Sequence, residues 1–163
     1  MARLFVAAWP SPAAGVRLDR LPRPDEPGVR WVPPANRHVT LCFIGEAQLD
    51  AAIGALGAAR LPRCTVRLGP AVTVLGARQI VVPADGADRL AAAVGAAAAA
   101  IAAPRTERFV GHLTIGRTAG GATSAVVGTP FEAEFTVDQV ALVVSDLRPD
   151  GAVYTTAATF PTS

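Results

Sequence analysis

The chain has 163 residues, 51% of them apolar, and a net charge of +2; this is enough to bury a core in one domain or in two small lobes sharing one, and it excludes disordered and collagen-like classes. The small charge argues against strong non-specific nucleic-acid binding, and the all-arginine complement of 15 basic residues, beside an alanine excess, reads as a compositional habit. No run of about 18 large apolar residues marks a membrane span, and Trp9 and Pro10 stop the N-terminal apolar run before a signal-peptide core forms, so the expectation is a cytoplasmic protein.

In chain order, residues 4–9 read as a strand closed by Pro10. Ser11 then caps a helix running to about Leu21, with Pro12 at its first position. Pro22, Pro24, Pro27 and Gly28 make a loop, residues 29–32 are extended, and residues 33–36 turn the chain into a strand over 37–45. Leu49, Ala52, Ile53, Leu56 and Ala59 recur at helical spacing, predicting a helix over 48–60. Residues 64–75 form one strand, or two broken near Gly69 and Pro70. A turn at Gly76, Ala77 and Arg78 leads into a strand over 79–82 that Pro83 ends, making a hairpin. Residues 85–88 open a helix from Arg89 to about Ala103, closed by Pro104, and a strand follows over 109–117. Residues 118–129, rich in Gly, Ser and Thr, are expected to hold a mobile loop. Strands over 131–137, 140–145 and 153–160 complete the chain, the last two joined by the turn Arg148-Pro149-Asp150-Gly151. This order predicts an α+β protein in which two similar sheet-and-helix lobes, one domain over residues 1–163, each contribute one of two special strands.

Those strands carry His38-Val39-Thr40-Leu41 and His112-Leu113-Thr114-Ile115, and they hold the only two histidines. Alternation puts His38 with Thr40, and His112 with Thr114, on one face of each strand. A lone histidine on an apolar strand is ordinarily structural; two copies of His-apolar-Thr-apolar are not. A metal site needs three or four ligands, and the one nearby acid, Glu46, has no counterpart after His112, so no metal is expected. No Gly-x-Ser-x-Gly elbow exists, and Cys42, which alternation places on the His38 face, lacks an activating pattern. Cys42 and Cys64 read as buried free thiols. Paired acid–base catalysis at a phosphodiester fits best. One imidazole deprotonates the attacking oxygen, the other protonates the leaving oxygen, and each Thr hydroxyl bonds a non-bridging phosphate oxygen.

At these residues the chain resembles the 2H phosphoesterase superfamily, and more narrowly the RNA 2′,3′-cyclic phosphodiesterases, historically called 2′-5′ RNA ligases. The resemblance extends to residues 3–7, to Arg30-Trp31-Val32-Pro33 and to residues 145–160 with Gly151 and Tyr154. It implies a bilobal, pseudo-symmetric fold of two antiparallel sheets forming a central cleft, with helices outside. It further implies a metal- and cofactor-independent monomer acting on RNA ends or nucleotides that carry a 2′,3′-cyclic phosphate. His38 would be the acid, His112 the base, and Thr40 and Thr114 the phosphate ligands. It also implies a place near the phosphate for Arg117, although strict alternation puts Arg117 on the Leu113 face. Phe43 has two readings: base stacking at the cleft edge, by resemblance, and core, by its parity with Leu41, which is favoured. Gly111 stands where the family usually has proline, a departure expected to loosen the approach to His112, and the segment over 10–30 is shorter than usual. Hydrolysis to a 2′-phosphate is the expected reaction. The alternatives are the reverse ligation to a 5′-hydroxyl and a non-catalytic RNA or nucleotide binder.

Overall fold

The computed structural model describes residues 1–103 and 106–163; Pro104, expected to close the third helix, lies outside them. The strands are β1 (Ala2–Ala8), β2 (Val29–Trp31), β3 (Val39–Ala47), β4 (Cys64–Leu68), β5 (Thr73–Leu75), β6 (Gln79–Asp85), β7 (His112–Thr118), β8 (Ala133–Val137), β9 (Gln139–Arg148) and β10 (Gly151–Pro161). The helices are α1 (Pro12–Asp19), α2 (Leu49–Ala58) and α3 (Asp88–Ala98).

The strands run in the order β10-β9-β1-β3-β7-β6-β4-β8, with β2 added beside β7 and β5 beside β6. Every pairing is antiparallel. Two halves are evident, β10-β9-β1-β3 and β7-β6-β4-β8, and they meet at the single pair Val39↔Leu113. The sheets of the two expected lobes are thus stitched into one curled surface at its middle. The resulting antiparallel sheet with its three helices is the fold class that the resemblance implies.

The helices cover one face because their apolar positions repeat at helical spacing. Leu90, Ala91, Val94 and Ala98 of α3 and Ala52 and Leu56 of α2 are buried, and they join Leu4, Val6, Val39 and Leu113 in one core spanning both halves. The opposite face holds a small second cluster, Phe5, Ala7, Ala141 and Val143, with Trp9 and Tyr154 at its edge. Burial on both faces accounts for the unbroken apolar run of β1. Ser11 caps α1 as expected, accepting from the Ala14 amide at 3.2 Å.

Four local expectations change. Pro83 does not end β6, which continues to Asp85; the Pro83 carbonyl accepts from the Gly69 amide at 2.9 Å. α3 stops at Ala98, a turn early, where Ile101 is the one large side chain the next five residues offer for burial. The segment expected to be mobile is tied down, with the Glu26 carboxylate accepting from the Ser124 hydroxyl and from the Ala125 amide at 2.9 Å. Those bonds hold the Glu26 carboxyl below the usual carboxylate range. Finally, Gly111 is a tight contact and not a loose one. A Cβ there would lie 2.0 Å from the Ala84 carbonyl oxygen, so proline has no room on this backbone.

One ion pair between a buried guanidinium and an exposed carboxylate orients the entry to β3. Arg37 is only 4% exposed, and its Nη1 donates to Asp19 Oδ1 at 2.7 Å, while its Nε has no partner. Asp19→Ala leaves that guanidinium buried with no carboxylate, and denaturant unfolding is expected to show a loss of about 1–3 kcal/mol. A variant as stable as the parent would show that the pair does not hold this segment.

Candidate active site

The pair Val39↔Leu113 organises the site. Both side chains are fully buried on the core face, so their neighbours His38, Thr40, His112 and Thr114 emerge on the other. Antiparallel register sets His38 opposite Thr114 and Thr40 opposite His112, with the imidazoles on a diagonal.

Each imidazole is held in the same way. His38 Nδ1 lies 2.7 Å from the Asn36 carbonyl oxygen, and His112 Nδ1 lies 2.7 Å from that of Val110. A carbonyl only accepts, so Nδ1 carries the hydrogen in both rings and Nε2 is the nitrogen with a lone pair when the ring is neutral. His38 Nε2 is 2.9 Å from the Thr40 hydroxyl, which donates to it when the ring is neutral. The Thr114 hydroxyl donates to Gln79 Oε1 at 3.0 Å.

The two imidazoles differ in surroundings. Phe5 stacks on His38 with ring centroids 5.0 Å apart, and Trp9 and Tyr154 present their edges at 5.3 and 5.6 Å. Burial among these rings pushes His38 below the ordinary imidazole value, and the positive charges of Arg117 and His112 push it the same way; the Asn36 carbonyl opposes them. The chain's single tyrosine and one of its two tryptophans are spent on this wall. No local pattern reveals it, because β1 and β10 reach His38 through sheet pairing; only the resemblance touched Phe5 and Tyr154.

Each motif is followed by the same irregularity. Between β1 and β3, Val6 pairs with Cys42 and Ala7 with Thr40, which leaves Leu41 as an extra residue. Between β6 and β7, Ile80 pairs with Gly116 and Val81 with Thr114, which leaves Ile115 extra. Both extra residues immediately follow a motif threonine, and both are buried. A bulge reverses the alternation beyond it. Phe43 therefore pairs with Phe5 on the cleft face and is 50% exposed, which corrects its assignment to the core. Cys42 turns to pack against the core, not onto the His38 face. By the same device Arg117 leaves the Leu113 face and pairs with Gln79 across β6, where its charge reaches His38. Phe43 and Arg117 are thus equivalent positions of the two halves.

A cavity of about 420 Å³ runs between β3, from Thr40 to Ile44, and the small residues of α3, and reaches Phe109, Val110 and His112 but not His38. A larger one, about 680 Å³, lies near α1, β4 and β8 among Arg17, Arg67, Asp85, Glu132 and Glu134. It contains no motif residue, and its mixed charges favour no one ligand. Among the described residues no group of three or more His, Cys, Asp or Glu is placed to hold a metal ion, and no helix is long and apolar enough to cross a membrane.

No protein-family model and no curated protein sequence matches the chain, but solved structures do. The chain resembles TT0787 of Thermus thermophilus at 29% identity, with a TM-score of 0.75 over 98% of this chain and 97% of that one. The apo form of E. coli LigT superposes with a TM-score of 0.82 at 24% identity, covering 99% and 98% of the two chains. A protein described as a phosphoesterase gives 0.82 at 22% identity, over 99% and 98%. Near-complete coverage of both chains and the paired His-x-Thr strands meeting at the middle of the sheet identify the fold as the LigT-like 2H phosphoesterase fold.

Proposed function

We propose that the protein is a phosphoesterase that hydrolyses a 2′,3′-cyclic phosphate on an RNA end or nucleotide to the 2′-phosphate. The observation that carries this is the diagonal of two imidazoles, each bonded at Nδ1 to the carbonyl two residues back and each opposite a threonine hydroxyl. One phosphate set between them has an acid and a base on opposite sides and a hydroxyl near each. The adjoining cavity, within the usual size range of small-ligand sites, has room for a nucleoside. E. coli LigT, which shares the fold, forms complexes with 3′-AMP and with phosphate.

In the proposed reaction His112 Nε2 takes a proton from water as its oxygen bonds to phosphorus. The bond from phosphorus to the ribose 3′ oxygen breaks, and His38 Nε2 gives its proton to that oxygen. Thr40, Thr114 and Arg117 meet the charge that grows on the non-bridging oxygens. The depressed His38 suits this acid role only once the phosphate anion has arrived, since a negative charge beside the ring favours its protonated form.

Incubation with adenosine 2′,3′-cyclic phosphate is expected to yield adenosine 2′-phosphate, with a bell-shaped dependence of rate on pH. As the acid, His38 must be protonated, and its protonated fraction falls as pH rises through its lowered value. The kcat/KM profile, which reads the free enzyme, is therefore expected to peak at lower pH than the kcat profile. A flat profile from about pH 5 to 9 overturns the paired mechanism; a 3′-phosphate product overturns the assignment of the leaving oxygen.

A further inference from the structure

Arg30 has no part in the chemistry above, yet its position is tightly specified. It pairs directly with Arg117 across β2 and β7, and Arg117 pairs in turn with Gln79 across β6. Directly opposed residues of an antiparallel pair share a face, so Arg30 lies on the cleft face beside Arg117. Its neighbours Val29 and Trp31 pack against the core on the other. Strand β2 is short but pinned: Trp31 Nε1 donates to the Pro24 carbonyl at 2.9 Å, and the indole lies so close to Gly116 that a Cβ there would sit 2.9 Å from it.

Two arginines facing each other directly are unfavourable unless something negative lies between or over them. Neither makes an ion pair with an acid among the described residues, and both are exposed. Glu26, the acid on the loop leading into β2, is committed to Ser124 and Ala125. The arrangement thus keeps two guanidiniums side by side at the rim of the site without a counter-ion.

We propose that Arg30 is the ligand of a second phosphoryl group, the one on the 5′ oxygen of the nucleotide whose 2′,3′-cyclic phosphate is held by the threonines and Arg117. This inference rests on the function proposed above. Arg30 lies one strand spacing, about 4.8 Å, beyond Arg117, and so outside the ring of groups around the reacting phosphate. A nucleotide with its 2′ and 3′ oxygens closed on one phosphorus can carry another phosphoryl group only at its 5′ oxygen. The favoured substrates are then 5′-phosphorylated nucleotides or the 3′ end of an RNA chain, in preference to a bare cyclic nucleoside phosphate.

Calorimetric titration with reaction products tests this without needing turnover. Adenosine 2′-phosphate lacks the second group, adenosine 2′,5′-bisphosphate carries it as a monoester, and adenylyl-(3′,5′)-adenosine 2′-phosphate carries it as a diester. The parent protein is expected to bind the bisphosphate about tenfold or more tightly than the monophosphate at low salt, with the gap narrowing as salt rises. Arg30→Gln is expected to shrink the preference to about twofold, and Arg30→Lys to restore part of it. A preference shared by the dinucleotide assigns an RNA chain as the source of the second phosphate; one confined to the bisphosphate assigns a mononucleotide. No preference in the parent, an undiminished preference in Arg30→Gln, or equal weakening of all ligands by that variant overturns the proposal. Failure of the parent to hydrolyse the cyclic phosphate sinks the proposed reaction alone, and the binding preference still reads out separately.

Discussion

His38→Ala and His112→Ala are each expected to lower turnover of adenosine 2′,3′-cyclic phosphate by about 10² to 10⁴, with the double variant little worse than either single one, because the two imidazoles act in one proton-transfer event. The variants are not equivalent in what else they disturb. His38 is walled by Phe5, Trp9 and Tyr154, and its removal leaves a void in that aromatic cluster, so His38→Ala is expected to melt earlier as well. His112 is half-buried, and its bond to Val110 lies at the surface, so His112→Ala is expected to melt near the parent. Lost activity with unchanged melting in His112→Ala therefore isolates the chemical role, and Asn at position 38 offers a volume-sparing comparison. Parent-rate hydrolysis by either alanine variant would remove the histidine pair from the mechanism.

Local sequence pattern reaches some parts of this molecule and misses others for identifiable reasons. Helices α2 and α3 show in the spacing of Leu49 to Leu56 and of Leu90 to Val94, because one face of each is buried. The β5–β6 hairpin shows in Gly76, whose φ of +61° suits the turn. The His-x-Thr pairs show because alternation holds across three residues. It fails one residue later in each strand: the extra residues Leu41 and Ile115 are apolar and buried like their neighbours, so nothing in composition announces that the face has switched. Phe43 and Cys42 exchange sides for that reason, and Arg117 reaches the cleft for the same one. Gln79, which takes the Thr114 hydroxyl, stands 35 residues from it in sequence, and the arginine opposite Arg117 comes from a strand of three residues. Such partners are set by sheet order, and no window of sequence contains them.

Thr40→Val and Thr114→Val are each expected to lower kcat by about 10² to 10³, the cost of losing one hydroxyl aimed at charge that appears only in the transition state. Valine keeps the shape and the strand preference, so the fold should hold. In the free protein the two hydroxyls have different partners, and that separates the variants further. Thr40 bonds His38 Nε2, donating to the neutral ring and accepting from the protonated one. Thr40→Val removes a partner of the His38 ring as well as a phosphate ligand and is expected to be the more damaging of the two. Thr114 is bonded to Gln79, away from either imidazole, so Thr114→Val is expected to lower the rate without shifting its pH dependence. Serine at either position keeps the hydroxyl and should recover most of the rate. A rise in KM with kcat unchanged would mean that the hydroxyls hold the ground state as firmly as the transition state, leaving the stabilisation of the developing charge to Arg117 and the imidazoles.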